Sequence, residues 1–172
     1  MTKQQEKDRI DIIGDLKEKI GEGPPPEDFR LMGRIRRISA LYVKKMNKIL
    51  QQKFGSDCGE YDVLGTINWR TRENERITPG QLAKTTILSS SSPALTNRLN
   101  RLETKGLVHR DRTTADRRLV LIGLTPEGRK MAQEMDAVYD QFLKQYLKQL
   151  KNKEKDDLAG LLRKLILCFD KE

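Results

Sequence analysis

Apolar residues recur every three or four positions along most of the chain, and the places where that rhythm stops mark its elements. From Phe29 onward, Leu31, Ile35, Ile38, Tyr42, Met46 and Ile49 form one stripe. This predicts a helix closed near Gly55, where glycine tolerates the left-handed backbone of a helix end. Tyr61, Leu64, Ile67 and, at the margin, Trp69 predict a second inward-facing helix over 60–72. Thr78-Pro79-Gly80-Gln81 reads as an N-cap followed by proline in the first helical position, opening a short helix through Thr86. Ile87-Leu88 is a turn, and the serine run 89–92 leads into a helix over 93–105. Pro93 is tolerated only in its first turn, and Gly106 stops it.

The period then changes. Residues 107–112 alternate weakly and 119–124 are rich in β-formers, with Thr113-Thr114-Ala115-Asp116 as turn material between them. A β-hairpin is predicted. Thr125-Pro126-Glu127-Gly128 has the signature of a helix start, and Met131, Met135, Val138, Phe142, Tyr146 and Leu150 stripe the long helix that follows. Asn152 interrupts it, and Leu158, Leu162, Leu165 and Phe169 stripe a last helix. Helix, turn, helix and hairpin within about 45 residues define a helix-turn-helix with a wing. The predicted fold is mainly α with a small β-hairpin wing (α+β). It divides into an N-terminal arm (1–28), dimerisation and ligand-pocket helices (29–75), a winged helix-turn-helix lobe (76–124) and C-terminal dimerisation helices (125–172). The arm, broken by Gly21-Glu22-Gly23-Pro24-Pro25-Pro26, is expected to be mobile or to pack only against a partner.

Charge gives this pattern a partner. The chain has 172 residues and a formal net charge of +9, which favours a polyanion. Most of the excess lies in the predicted lobe, where Arg76, Lys84, Arg98, Arg101, Lys105, Arg110, Arg112, Arg117 and Arg118 face only Glu103, Asp111 and Asp116. On a helical projection of 93–105, Leu95, Leu99 and Leu102 fall on one side. Pro93, Asn97, Asn100, Arg101 and Thr104 fall opposite, with Thr96 and Arg98 on the flanks. Asn pairs bidentately with adenine and Arg with guanine in the major groove of double-stranded DNA. Ser90, Ser91 and Ser92 sit at the helix N-terminus, where backbone N–H groups and hydroxyls can seat a phosphate. Arg112, Arg117 and Arg118 make the wing basic.

At this point the residues resemble a known family. Tyr61-Asp62-Val63-Leu64, Thr78-Pro79-Gly80-Gln81-Leu82-Ala83, Leu88-Ser89-Ser90-Ser91, Thr96-Asn97-Arg98-Leu99, Arg101-Leu102-Glu103 and Lys105-Gly106-Leu107-Val108 are similar to strings of the multiple antibiotic resistance regulator (MarR) family. So is Asp116-Arg117-Arg118 followed by Leu124-Thr125-Pro126-Glu127-Gly128. The resemblance spans about residues 29–170. It implies a homodimer joined by helices from both chain ends, its two lobes straddling a pseudo-palindrome. It also implies a repressor released by a small aromatic carboxylate or phenolic effector. Arg117 becomes the minor-groove finger and Arg118 the partner of Asp116. Where the family often has Asp, this chain has Asn100, which leaves a wing arginine either looser or held by Glu103. The implied effector pocket is reached by Arg36, Ser39, Asp62, Thr66, Trp69 and Arg110, although on general grounds core packing is the favoured role for Trp69.

Other classes find less to stand on. No nucleophile motif, phosphate loop or cofactor fingerprint occurs, so neither an enzyme nor a cofactor is expected. His109 is the only histidine, and Cys58 and Cys168 form no CxxC, so no metal site is expected. No apolar run is long enough to cross a membrane, and a cytoplasmic, reduced protein is expected. An oxidant sensor working through Cys58 is an alternative, disfavoured by the acids Asp57 and Glu60 beside it. Cys168, in a leucine-rich helix, is expected to be buried. A winged-helix module used for protein assembly is the other alternative, against which the basic wing argues.

Overall fold

The computed structural model describes residues 26–72, 77–88, 92–112 and 120–170. In chain order these form α1 (Glu27–Phe54), α2 (Cys58–Arg72), α3 (Pro79–Thr85), α4 (Ser92–Thr104), β1 (Val108–Arg112), β2 (Val120–Leu124), α5 (Pro126–Leu147) and α6 (Asn152–Phe169). The expected helices, turn and hairpin are all present, with boundaries moved by one to three residues. Nearly all of the proposed arm lies outside the described residues. Helix α1 begins inside its last two positions.

The chain divides into two compact units, one ending at Cys58 and the other beginning at Gly59. In the first, Gly55 closes α1 at φ 59°; its N–H donates to the Gln51 carbonyl and the Ser56 N–H to that of Leu50. The Asn47 side chain accepts the Cys58 N–H at 2.7 Å, and the buried Cys58 thiol points at the Val43 carbonyl, 3.9 Å away. Met46 and Leu50 are fully buried, whereas Leu31, Ile38 and Leu41 nearer the N-terminal end are exposed.

In the second unit the caps are those the sequence predicts. Thr78 accepts from the Gln81 N–H at 3.2 Å, and the Gln81 side chain accepts the Thr78 N–H at 2.9 Å, a reciprocal capping box with Pro79 behind it. Helix α4 buries Leu95, Leu99 and Leu102 to 3% exposure or less. Each contributes roughly 1.5–3 kcal/mol relative to an exposed leucine. Gly106, at φ 69°, ends the helix. The wing is an antiparallel pair with Val108 opposite Leu124 and Arg112 opposite Val120. Ile77 adds an isolated bridge to Ile122, so the segment before α3 is stitched to β2.

Thr125 locks the wing base to the next helix. Its hydroxyl donates to the Gly106 carbonyl at 2.7 Å and accepts from the Gly128 N–H at 3.0 Å, while its own N–H donates to the Leu107 carbonyl at 3.1 Å. A Cβ on Gly128 would overlap the Leu107 carbonyl. The Thr-Pro-Glu-Gly string is therefore both a helix start and a docking point for the end of α4.

Two expectations fail here. Trp69 is 69% exposed and is not a core residue. Cys168 is exposed too, because α6 buries none of its residues despite its apolar stripe. Among the described residues, no helix is long and apolar enough to cross a membrane.

Candidate nucleic-acid interface

The open face of α4 carries Pro93, Thr96, Asn97 and Asn100, all exposed and opposite the buried leucines. Asn97 stands at its centre. Ser90, Ser91, Arg117 and Arg118 lie outside the described residues, and Ser92 and Arg112 are described through their backbones alone. Of the expected DNA-facing residues, Pro93, Thr96 and Asn97 are thus grouped on one exposed surface.

The arginines of α4 go elsewhere. Arg98 was expected on the flank of the reading face. It folds back so that its guanidinium lies over the backbone of Gly59 in α2, and it donates to the Leu88 carbonyl at 3.2 Å. Arg101 was expected on the reading face itself, yet its Nη2 stands 2.9 Å from Oε1 of Glu60. Lys105 donates to Oε2 of the same carboxylate at 2.8 Å. The physical reason is burial. The Glu60 side chain is fully inaccessible, and a carboxylate out of water is costly unless cations and donors surround it. Arg101 and Lys105 are four residues apart, so one helix edge delivers both.

Arg110 is also redirected. It was expected at the effector pocket. It instead reaches from β1 to α4, donating to Oδ1 of Asn100 at 2.7 Å and pairing with Glu103 at 3.1 Å. Asn100 and Glu103 together hold the strand arginine, while the wing arginines Arg117 and Arg118 lie outside the described residues. His109 pairs with Asp111 at 3.2 Å across the wing surface.

A cavity of about 290 Å³ lies beside α2, lined by Tyr61, Asp62, Gly65, Thr66, Asn68, Trp69 and Asp136. It gathers three of the expected pocket residues, Asp62, Thr66 and Trp69. Arg36 and Ser39 are exposed on α1, in the other unit. Tyr61 donates to Asp136 at 3.0 Å, and its ring packs on Tyr139 at 5.6 Å between centroids. Asp62 has two roles: it lines the cavity, and its Oδ2 accepts the Leu88 N–H at 2.8 Å. The cavity wall is therefore bonded to the turn that precedes α4. Sequence reasoning missed Glu60, Tyr61 and Asp136 as site residues. Their partners lie 41 to 75 positions away, and no local pattern announces them. Among the described residues, no group of side chains is arranged to hold a metal ion.

A helix-turn-helix whose second helix presents a polar face, followed directly by a two-stranded wing, defines a winged-helix DNA-binding regulator. The family model of the transcriptional regulator SarA/Rot matches residues 45–135. The chain belongs to that family, and with it to the MarR-type transcription regulators. It is 29% identical over 136 residues to the regulator PecS of Dickeya dadantii, covering 79% of this chain and 80% of PecS. The MepR–DNA complex of Staphylococcus aureus is similar in structure, with a TM-score of 0.70 and 26% identity over 78% of this chain and 94% of that one. A mutant of MarR from Escherichia coli is similar at a TM-score of 0.62 and 30% identity, over 83% and 97% of the two chains. These relatives are transcription regulators, not enzymes, and this chain is a DNA-binding transcription regulator of the same type.

Proposed function

We propose that the chain is a homodimeric, cytoplasmic repressor that reads a pseudo-palindromic operator through α4 and the wing and releases it when a small phenolic or aromatic ligand binds. The observation that carries the DNA-reading part is the exposed Pro93–Thr96–Asn97 face, set opposite a leucine face that is fully buried. The likeness to MepR, solved with DNA, supports it. In this reading residues 76–124 form the DNA-binding lobe. Residues 29–75 and 125–172 supply dimerisation and pocket helices. Ser90, Ser91, Ser92, Arg112, Arg117 and Arg118 add phosphate and minor-groove contacts. The unburied apolar stripe of α6 supports dimerisation, since Leu158, Leu161, Leu162, Ile166 and Phe169 are each at least 36% exposed within one chain.

The cavity supports a phenol over an aromatic carboxylate. Two carboxylates, Asp62 and Asp136, line it, and none of its lining residues is a cation. A phenolic hydroxyl can donate to either acid, whereas a carboxylate would be repelled. Trp69 and Tyr61 offer faces for the ring. Because Asp62 also holds the Leu88 N–H, a ligand that engages Asp62 can loosen the turn before α4. Oxidant sensing through Cys58 is less supported, because that thiol is buried and directed at a carbonyl.

The test is to select bound sites from random duplexes, then titrate phenols and matched aromatic acids against the best site. The reading expects phenols to weaken binding and raise the melting temperature of the free protein, with the acids weaker. Failure of the chain to enrich any duplex overturns it.

A further inference from the structure

The lobe carries most of the excess positive charge, yet the structure withholds much of it from solvent-facing use. Five basic side chains are described between residues 77 and 112. Four of them, Arg98, Arg101, Lys105 and Arg110, are engaged by protein groups. The largest such sink is Glu60. It sits in the first turn of α2, fully buried, with one oxygen on Arg101 and the other on Lys105. Both cations remain partly open, at 56% and 36% side-chain exposure. They are thus at the surface, at the C-terminal end of α4, while their charge is directed inward.

We infer that Glu60 is a specificity-determining residue: by holding Arg101 and Lys105 on a buried carboxylate, it keeps two cations of the recognition helix off DNA phosphate. This rests on the reading that α4 meets DNA. The physical argument is a difference between two kinds of contact. Phosphate contacts raise affinity for every duplex alike, through release of condensed counterions. Base contacts, from residues such as Asn97, raise affinity for one sequence. Holding two cations on one buried carboxylate, which cancels one unit of their charge, lowers the first without touching the second, so the ratio of operator to random binding rises. The same pair of contacts fixes the C-terminal end of α4 against α2, so Glu60 also positions the helix.

The test is a salt titration of full-length wild type, Glu60→Gln, Arg101→Gln and the double variant, each on the selected operator and on a scrambled duplex, with folding checked by thermal melting. Gln keeps the shape of Glu60 and removes its charge. Glu60→Gln is expected to bind the scrambled duplex several-fold more tightly, with a salt slope steeper by about one to two counterions per lobe. The operator-to-random ratio falls. Adding Arg101→Gln takes back about one counterion of that gain, a reversal that a purely structural role would not produce. Arg101→Gln alone leaves the slope unchanged.

Two results overturn the inference. One is that Glu60→Gln weakens both duplexes with no change in slope. The other is that Arg101→Gln in the wild-type background flattens the slope by about one, showing that Arg101 already sits on phosphate. If Glu60→Gln does not fold, Arg101→Gln alone decides by the same criterion. Wild type that binds no duplex, or Asn97→Ala that leaves operator preference intact, overturns instead the reading that α4 meets DNA.

Discussion

Helices α4 and α6 are both amphipathic, and they use their leucines in opposite ways. Leu95, Leu99 and Leu102 of α4 are sealed within the chain, at 3% exposure or less. In α6, Leu158, Leu161, Leu162, Ile166, Leu167 and Phe169 stay between 36% and 69% exposed, and no residue is buried. Periodicity is equally clear in both. The difference is that α4 has α3 and β1 packed against it, which completes its core within the one chain. An apolar stripe this long, left in water, exceeds the scattered exposed leucines normal for a soluble surface. The contrast teaches that an amphipathic pattern promises burial without saying whose chain supplies it.

The sharpest way to break the comparison is to charge each face. Leu162→Asp combined with Ile166→Asp should abolish dimerisation and reduce operator binding to that of one lobe, while leaving the lobe's own fold intact. Sedimentation and operator binding measured together check this. A variant that stays dimeric, or a wild type that is a folded monomer at micromolar concentration, removes α6 from the dimer interface.

Truncating the sealed face should have the next largest effect. Leu102→Ala should lose about 2–5 kcal/mol of stability, since a fully buried leucine leaves a cavity. Leu162→Ala offers the sharper contrast. Its cost should be full where the protein is dimeric and shrink as dilution dissociates it, because the burial it removes is proposed to lie between chains, whereas the cost of Leu102→Ala should not depend on that contact. Denaturant melts of both variants over a hundredfold concentration range, a span chosen to resolve mass action, separate the two.

The smallest effects should appear on the outer surface of the lobe. Asn97→Ala should cost about 1–3 kcal/mol on the best operator and much less on random DNA, lowering specificity. Arg117→Ala should weaken both together and flatten the salt slope by about one counterion per lobe. Neither should change the melting temperature appreciably, Asn97 being exposed. Salt titrations of the two variants side by side check this. An Arg117→Ala protein with unaltered affinity and slope would point to a wing that contacts protein rather than DNA.

Much of this was legible before any coordinates. Thr78 with Gln81, Thr125 with Gly128, Gly55 and Gly106 mark helix ends through contacts within a few residues, and such contacts depend only on local backbone chemistry. The Leu95/Leu99/Leu102 face followed from a period alone. The sequence by itself therefore determined the order of elements, the winged helix-turn-helix and the exposure of Asn97. It could not say where the long basic side chains go. Arginine and lysine carry flexible stems that reach several ångströms in many directions, and the group that captures them can come from anywhere in the fold. Only the tertiary structure put Glu60 beneath Arg101 and Lys105, turned Arg98 over Gly59 and drew Arg110 onto Asn100 and Glu103. It likewise left Trp69 in solvent beside an acidic cavity. A count of charges along the chain measures how many cations a lobe has; burial of one distant carboxylate decides how many of them remain for DNA.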